Sequence, residues 1–251
     1  MSLIRVERNG PVRTVILNRP EKRNALNEEM MVEVRELFQT EPPTDERVTV
    51  IRGEGPSFCA GLELTTSGVE PEAAQLIETM FDAVQRYPLP VVARVHGPAI
   101  AGGCELALHC DFSVASDNSC FAMPLAQIGV ATTWFLTKKI MEAAGPVVGR
   151  EFLLLGDPLE AARLRDLGII SRCVPETSLD KEVSVITDRL SANAPVSLKV
   201  MKAIMVKQMS IFDLPERQPE EGIADSIWNS HDAREGVRAR VEKRKPEFKG
   251  E

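Results

Sequence analysis

Short apolar runs alternate with segments of helical periodicity along the first half of the chain. The apolar runs are rich in β-branched residues and are bounded by turn-forming ones, which is typical of buried strands. They predict strands at residues 12–17, 48–52, 90–95 and 112–115. Helices are predicted between them at residues 28–38, 72–86 and 104–110. Strands that alternate with helices through short loops favour a mainly parallel sheet that is covered on both faces.

The pattern changes at about residue 133, beyond which apolar residues recur at helical spacing. Helices are predicted at residues 133–144, 147–155, 159–167, 179–192, 196–208 and 220–243, with a strand-like interruption at 169–174. No internal repeat or low-complexity linker is evident. A chain of 251 residues, 43% of them hydrophobic, can bury one large core. We therefore expect one α/β domain with a helical last third.

Charge and cysteine content narrow the classes of function. The net charge of −7 argues against a nucleic-acid-binding surface. The five cysteines lack the spacing of a metal site or a disulfide framework, so we expect free thiols and a cytoplasmic protein. There is no signal-peptide pattern and no run of about 18 apolar residues, so no membrane contact is expected. The three histidines, at positions 96, 109 and 231, are scattered, and no metal site is predicted.

The C-terminal segment is basic although the chain as a whole is acidic. Its cations are Arg234, Arg238, Arg240, Lys243, Arg244, Lys245 and Lys249. Two interpretations stay open, a solvated helix face or a contact with an anionic ligand or partner.

Two glycine-containing loops, each after a predicted strand, are candidates for a ligand site. They are residues 58–64 (FCAGLEL) and 97–111 (GPAIAGGCELALHCD). Glycine lets the backbone approach a ligand closely, and a helix that begins near Gly102 points free N–H groups outward. Two such donors that converge from neighbouring loops would form an oxyanion hole. The alternative is that Gly61, Gly102 and Gly103 serve only the tight packing of a helix on a strand.

Glu105 strengthens the case for chemistry because it follows Gly102 by one helical turn on the same face. A carboxylate in a mostly apolar helix is desolvated, which raises its pKa toward a range that is useful for proton transfer. The alternative is a capping or salt-bridged glutamate near a helix start. His109, one turn further on, is interpreted as a packing residue, and Asp111 as a hydrogen-bonding residue of a turn.

Five segments, in order along nearly the whole chain, resemble the crotonase family of enoyl-CoA hydratases and isomerases. They are NRPEKRNAL (18–26), SFCAGLEL (57–64), PVVARVHGPAIAGGCELALHCDFSVAS (90–116), GDPLEAARLRDLGIISRCVP (156–175) and APVSLKVMK (194–202). The resemblance implies a crotonase-like ββα superhelix (the ClpP/crotonase fold), an α/β fold with a helical C-terminal region. It implies a core of repeated ββα units at residues 1–190 and a helical trimerisation region at 191–251. It also implies acyl-CoA thioesters as ligands and a homotrimer or hexamer as the assembly.

The resemblance assigns roles to individual residues. The backbone N–H groups of Leu62 and Gly102 would form the oxyanion hole, and Glu105 would be the catalytic acid/base. Coenzyme A would lie along two segments, mostly against backbone atoms, at Lys22, Arg23, Ala25, Ala60, Glu63 and Leu64. For Lys22 and Arg23 the alternative is that they are solvated loop cations. Coenzyme A is part of the substrate, so no separate cofactor is implied.

The chain departs from the family's hydratases at the second carboxylate. Those enzymes use a second glutamate just after a proline, and Leu125 stands in that position here, in FAMPLAQIG. The next glycine-rich turn of the family aligns with residues 130–136, so that Thr133, Trp134, Phe135 and Leu136 stand where small residues are expected. Leu125, Thr133 and Trp134 are therefore predicted to line the acyl pocket, although Thr132 and Thr133 also suit a helix cap.

Three functions stay open at this point. The first is an enzyme that stabilises a thioester enolate and uses Glu105 for proton transfer, nominally an enoyl-CoA hydratase/isomerase. The second is a non-catalytic protein that binds fatty acyl-CoA and has lost hydratase activity through Leu125. The third, a nucleotide-binding oxidoreductase of similar layered architecture, is disfavoured because no G-x-G-x-x-G follows a strand.

Overall fold

The fold is built on a six-stranded sheet of mainly parallel strands. A computed structural model describes residues 2–64, 71–209 and 230–250. The strands are β1 (Ile4–Asn9), β2 (Val12–Leu17), β3 (Val48–Gly53), β4 (Val91–Val95), β6 (Phe112–Ser116) and β9 (Arg172–Val174). They lie side by side in that order, and only the β1–β2 pair is antiparallel. The predicted parallel sheet is therefore present, with an antiparallel strand added at one edge.

A second sheet of three short strands stands beside the first. It contains β5 (Pro98–Ile100), β7 (Cys120–Ala122) and β8 (Leu159–Glu160), in the order β5, β7, β8. The sequence analysis missed these strands because two or three residues are too few to show an alternating pattern. It also missed β1, which is an exposed edge strand with a single buried residue and hence no apolar face.

The described residues form eight α-helices. They are α1 (Glu28–Gln39), α2 (Pro71–Arg86), α3 (Gly102–Leu108), α4 (Trp134–Arg150), α5 (Ala161–Asp166), α6 (Leu179–Ala192), α7 (Pro195–Met209) and α8 (His231–Val241). Asn27 caps α1 as expected, because its side chain accepts a hydrogen bond from the Met30 N–H. The predicted break between residues 144 and 147 is also present, since Gly145 leaves the helical conformation inside α4. Part of the helix predicted at 220–243 lies outside the described residues.

The main sheet is buried on both faces, as its apolar strands require. Along β3, Val50 points into a cluster with α6, and the next residue, Ile51, points into the large core formed with α1, α2 and α3. Successive side chains of a strand face opposite sides, so a run of consecutive apolar residues suits a sheet that is covered twice.

Helix α7 is held to this core by a buried ion pair. The ammonium group of Lys202, which is 4% exposed, donates to Asp111 Oδ2 at 2.6 Å and to the Leu89 carbonyl at 3.0 Å. Asp111 Oδ2 also accepts from the Val91 N–H at 2.7 Å. Asp111 therefore forms the hydrogen bond expected of it at the turn and also binds Lys202 of α7.

The basic C-terminal segment is partly neutralised by the chain itself. Glu235 is buried and accepts from Arg238 and from both guanidinium NH groups of Arg244. Neither of these two arginines is therefore a free cation. No helix in the described part of the chain has the length and apolar character needed to cross a membrane.

Candidate active site

The two candidate loops lie side by side, as the sequence analysis expected. The loop that follows β3 pairs with β5, since the Ile100 N–H donates to the Cys59 carbonyl at 2.9 Å and Cys59 forms a parallel bridge with Ala99. Gly103 allows this approach, because a Cβ at that position would lie 2.2 Å from the Cys59 oxygen. The start of α3 is thus pressed against the 58–64 loop.

Two backbone N–H groups where the loops meet have no acceptor among the described residues. Leu62 lies beside Leu26, but the hydrogen bonds between these segments use the Gly61 carbonyl (2.8 Å) and the Glu63 N–H (2.9 Å). The Leu62 N–H is therefore turned away from Leu26. Gly102 is the first residue of α3, so its N–H has no acceptor within the helix. Neither N–H donates a hydrogen bond within residues 2–64, 71–209 and 230–250.

These N–H groups are close together in space. A Cβ added to Gly61, whose φ is +86°, would lie 3.1 Å from the Gly102 nitrogen. Ala101 precedes Gly102 with a φ of 47° and a ψ of −113°, a conformation that alanine rarely adopts. Its N–H donates to the Ala122 carbonyl at 2.7 Å, which fixes the turn that aims the Gly102 N–H. The predicted pair of donors, Leu62 and Gly102, is brought together.

Glu105 is a buried carboxyl group with no partner. Its exposed fraction is 0%, and neither Oε1 nor Oε2 has a hydrogen-bond partner in the described part of the chain. Burial raises the pKa of Glu105 well above its usual range, and the charge of Lys139 offsets this only in part. The alternative of a capped or salt-bridged glutamate is not met. A buried carboxyl group whose pKa is raised therefore lies one helical turn from the Gly102 N–H.

His109 packs directly beside Glu105. Its ring lies between those of Phe81 (centroids 4.9 Å apart, 14° between planes) and Phe135 (5.2 Å, 19°). Nδ1 donates to the Glu105 carbonyl at 2.8 Å and lies 3.6 Å from the carboxyl Oε2. Burial, with the charges of Lys139 and Lys138, lowers the pKa of His109 well below its usual value. The packing role expected for His109 is present, but its Nε2 has no partner among the described residues.

Asn24 secures the 58–64 loop, and the sequence analysis did not single it out. Its side-chain amide donates to the carbonyls of Glu54 (2.8 Å), Ser57 (2.8 Å) and Phe58 (3.2 Å), and its Oδ1 accepts from the Arg19 N–H at 2.9 Å. Asn24 is fully buried with a φ of 56°. The sequence NRPEKRNAL indicates only that Asn24 lies in a turn. Its hydrogen-bond acceptors are 30 to 34 residues away along the chain, so the sequence could not reveal them.

The residues predicted to bind coenzyme A form one continuous surface of two loops. Ala60 donates to the Arg23 carbonyl at 3.0 Å, and Ala25 donates to the Lys22 carbonyl at 3.1 Å. Leu64 packs beside Val130 at the edge of a small apolar cluster. The two loops therefore meet, and the coenzyme A role of these residues stays a prediction.

Glu63 joins the two loops through ion pairs. It accepts from Arg19 at 2.9 Å and lies 3.4 Å from the Lys22 ammonium. Burial alone would raise the pKa of Glu63, but the hydrogen bonds and charges of Arg19 and Lys22 lower it overall. Lys22 is thus a paired loop cation in this conformation, with its side chain 57% exposed.

The predicted acyl-pocket residues are distributed over two elements. Leu125 is partly buried and packs against both the main core and the Val130 cluster. Thr133 caps α4, since its hydroxyl accepts from the Leu136 N–H at 3.3 Å, as the alternative interpretation expected. Trp134 is 42% exposed, whereas the next residue, Phe135, reaches the ring of His109. Phe135, which the sequence analysis noted only as a bulky residue where a small one is expected, is therefore a further pocket candidate.

Metal-ligand geometry is not evident in the described part of the chain, where no group of three or more His, Cys, Asp and Glu side chains could hold an ion. The described cysteines are all free. The arrangement provides two hydrogen-bond donors and one proton-exchanging carboxyl group, which suits the stabilisation and protonation of an enolate.

Comparison with known proteins gives matches over nearly the full length. The enoyl-CoA hydratase/isomerase family model matches residues 7–251. Enoyl-CoA hydratase domain-containing protein 3, mitochondrial, from Danio rerio is 33% identical, covering 98% of this chain and 87% of the relative. Enoyl-CoA isomerase/hydratase fer4 from Mycosarcoma maydis is 30% identical, and the match covers 94% of this chain and 92% of the relative. The crystal structure of an enoyl-CoA hydratase from Mycobacterium avium subsp. paratuberculosis K-10 superposes with a TM-score of 0.86 at 25% identity, covering 99% of both chains.

Proposed function

The chain belongs to the enoyl-CoA hydratase/isomerase (crotonase) family, and we propose that it is an isomerase-type enzyme that moves the double bond of an enoyl-CoA thioester. The observation that carries the proposal is the buried carboxyl group of Glu105 beside the N–H groups of Leu62 and Gly102, none of which has a hydrogen-bond partner among the described residues. The family processes acyl-CoA thioesters, and such a site polarises the thioester carbonyl and exchanges one proton.

The reaction needs a single carboxyl group. When the pH exceeds its raised pKa, Glu105 is ionised and removes a proton from C2 of a 3-enoyl thioester, and the electron pair of the broken C–H bond moves into the carbonyl. The Leu62 and Gly102 N–H groups stabilise the resulting oxyanion. Glu105 then returns the proton to C4, the double bond shifts from C3–C4 to C2–C3, and the carbonyl is restored. A base whose pKa is raised by burial is better matched to a weakly acidic carbon than an exposed carboxylate is.

Leu125 favours isomerisation over hydration. Addition of water across the double bond requires one group to activate water and another to protonate the α-carbon. Losing a general acid or base typically costs about 10²- to 10⁴-fold in rate. The partly buried Leu125 side chain supplies neither group and makes its part of the pocket apolar.

Coenzyme A is expected to lie along the surface formed by residues 22–25 and 60–64, with no further cofactor and no metal. Lys22 and Arg23 are available to phosphate groups at the edge of this surface, and Lys22 would exchange its pairing with Glu63 for a phosphate. Backbone contacts from Ala25, Ala60 and Leu64 would then guide the pantetheine chain toward Leu62.

We also propose a homotrimer, or a hexamer made of two trimers, in the cytoplasm. Support comes from large apolar side chains that α7 leaves exposed in the single chain, among them Val196 at 71% and Ile204 at 54%. Faces of this kind are normally covered by another subunit. The five free cysteines suit a reducing compartment.

The test is to offer purified protein a panel of short- and long-chain 3-enoyl-CoA and trans-2-enoyl-CoA thioesters, with Glu105→Gln beside the wild type. We expect conversion of a 3-enoyl to a 2-enoyl thioester that Glu105→Gln abolishes. Rapid loss of 2-enoyl absorbance would instead establish hydration despite Leu125. Tight binding without turnover, retained in Glu105→Gln, would replace the proposal with a non-catalytic acyl-CoA-binding protein.

A further inference from the structure

Arg19 lies beside the loop that carries the Leu62 N–H, one of the two proposed oxyanion-hole donors. The residue is only 8% exposed, and an arginine is rarely buried unless its charge is paired. Its Nη1 donates to the Ala25 carbonyl at 2.6 Å, and its Nη2 donates to Glu63 Oε2 at 2.9 Å. One guanidinium group therefore contacts both of the segments that meet at Leu62.

The direction of the Leu62 N–H is set by the peptide group to which it belongs. The carbonyl of that group is the Gly61 carbonyl, and in a trans peptide the carbonyl and the N–H point in opposite directions. The Gly61 carbonyl accepts from the Leu26 N–H at 2.8 Å. Because this hydrogen bond holds the carbonyl toward Leu26, it points the Leu62 N–H away from Leu26.

The Leu26 N–H belongs in turn to the peptide group that contains the Ala25 carbonyl, the acceptor of Arg19 Nη1. The hydrogen bonds therefore run head to tail, from the guanidinium through the 25–26 peptide group to the 61–62 peptide group, which ends in the Leu62 N–H. Hydrogen bonds in such a chain polarise one another, and a bond from a charged donor is stronger than one between neutral groups. The cation at the head of the chain thus makes the last N–H a better donor.

Glu63 keeps the guanidinium group in place. Its carboxylate accepts from Nη2, and its own N–H donates to the Leu26 carbonyl at 2.9 Å. Although burial acts to raise it, the pKa of Glu63 is lowered overall by Arg19 and Lys22, so the carboxylate stays ionised near pH 7. The side chain of Lys22 is 57% exposed and that of Arg19 is 10% exposed. Arg19 is therefore the partner that Glu63 keeps when Lys22 turns to a phosphate group.

We propose that Arg19 is a positioning residue that orients and polarises the Leu62 N–H through these two peptide groups. The proposal rests on the proposed function, because the strength of this donor matters only if it binds a thioester oxygen. Arg19 acts through the backbone and not by contact with the thioester. A polarised donor stabilises an oxyanion more than it stabilises a neutral carbonyl, so loss of Arg19 should lower kcat and leave substrate binding nearly unchanged.

The experiment measures the infrared carbonyl band of a saturated acyl-CoA that carries ¹³C at the thioester carbonyl. In the wild type the band should move to lower frequency on binding, because the two backbone N–H groups polarise the carbonyl. Arg19→Met removes the charged donor, and the shift should become smaller. Its kcat for isomerisation of a 3-enoyl-CoA should fall roughly tenfold, which is less than the loss of about 10²- to 10³-fold that removal of an oxyanion-hole donor causes. The Kd of the acyl-CoA should stay within about twofold of the wild-type value.

A second variant breaks the chain of hydrogen bonds without changing any side chain. Replacing Leu26 by its α-hydroxy acid turns the backbone N–H into an ester oxygen, so the Gly61 carbonyl loses its donor. The carbonyl band and kcat should change at least as much as in Arg19→Met, because the break lies closer to Leu62.

Two controls make the same chemical changes away from the site. Leu167 replaced by the same α-hydroxy acid loses an N–H that donates to the Arg163 carbonyl at 3.0 Å, at the end of α5. Arg163→Met breaks the ion pair between Arg163 and Glu151. Both controls should keep the wild-type carbonyl band and kcat.

The outcomes distinguish the role of Arg19 from the isomerase function. A wild-type carbonyl band in Arg19→Met and in the Leu26 ester would overturn the proposal. So would a loss of affinity as large as the loss of kcat, which would assign Arg19 to substrate binding, or an equal loss in the controls.

A wild type that shifts the carbonyl band without isomerising the substrate would overturn the isomerase alone, since the bands of the variants still decide the role of Arg19. A wild type that leaves the band of the bound thioester unmoved would overturn the oxyanion hole, and the role of Arg19 with it.

Discussion

Replacing Glu105 by glutamine should make the protein progressively more stable than the wild type as the pH rises. Glutamine has nearly the same shape but cannot ionise. Glu105 is fully buried without a hydrogen-bond partner in the described part of the chain, and burial raises its pKa well above the reference value of 4.5. The folded protein therefore holds a proton that the unfolded chain releases, and this difference makes stability depend on pH.

The sign and slope follow from linkage. Below pH 4.5 both states are protonated, and Glu105 adds no pH dependence. Above it, the free energy of unfolding falls by about 1.4 kcal/mol per pH unit until the pH reaches the raised pKa of the folded state. His109 acts in the opposite direction below pH 6.5, because its pKa is lowered and only the unfolded chain takes up a proton. Between pH 4.5 and pH 6.5 the effects of Glu105 and His109 on the unfolding free energy cancel in the wild type. The Glu105→Gln variant keeps only the pH dependence that comes from His109.

Urea unfolding of both proteins at roughly pH 5, 6, 7 and 8, at one protein concentration, measures the difference. The unfolding free energy of Glu105→Gln minus that of the wild type should rise by about 1.4 kcal/mol per pH unit until the pH reaches the raised pKa of Glu105, and should level off above it. Burial of the glutamine amide costs the same free energy at every pH. It therefore shifts the plot of this difference against pH up or down without changing its slope. A difference that is independent of pH would mean that Glu105 is ionised in the folded protein, and would refute the argument.

Three further substitutions test other parts of the account. Leu125→Glu should raise hydration of a trans-2-enoyl-CoA by about 10²-fold or more, followed as loss of enoyl absorbance, and an equal gain in Leu125→Gln would show that charge is not the cause. Asn24→Gly, which tolerates the φ of 56°, should cost about 2 kcal/mol in urea unfolding through its lost hydrogen bonds, and should lower turnover. Lys202→Met should cost about 3 kcal/mol or more because it leaves Asp111 unpaired. The exposed Lys207→Met should be near neutral, and an equal loss there would contradict the role of the ion pair.

Much of the fold could be predicted because its long elements carry strong local signals. The runs at 12–17 and 48–52 are apolar on both faces, which only a doubly covered strand explains, and the capping asparagine at position 27 marks a helix start. The family matches confirm the predicted fold class. Strand β1 and the second sheet were missed because an exposed edge strand and very short strands have no pattern of their own.

Some residues of the candidate site could be predicted from local sequence, and others could not. Gly102 and Glu105 share one helical turn, so local spacing already associated them, and the resemblance added Leu62. The contacts of Asn24 and the stacking of Phe81 and Phe135 on His109 join residues from separate elements, so no local pattern could show them. The orphaned atoms of Glu105 and His109 likewise become visible only when every neighbour is in place.

The most direct test of the account is hydrogen exchange at C2 of a saturated acyl-CoA in D₂O, followed by NMR for the wild type and Glu105→Gln. This measures enolate formation at the thioester whatever the later steps are. We predict exchange by the wild type and a loss of about 10²-fold or more in Glu105→Gln, with binding of the thioester retained. A wild type that binds the thioester without exchanging its C2 hydrogens would contradict the claim that Glu105 and the two backbone N–H groups form an enolate-stabilising active site.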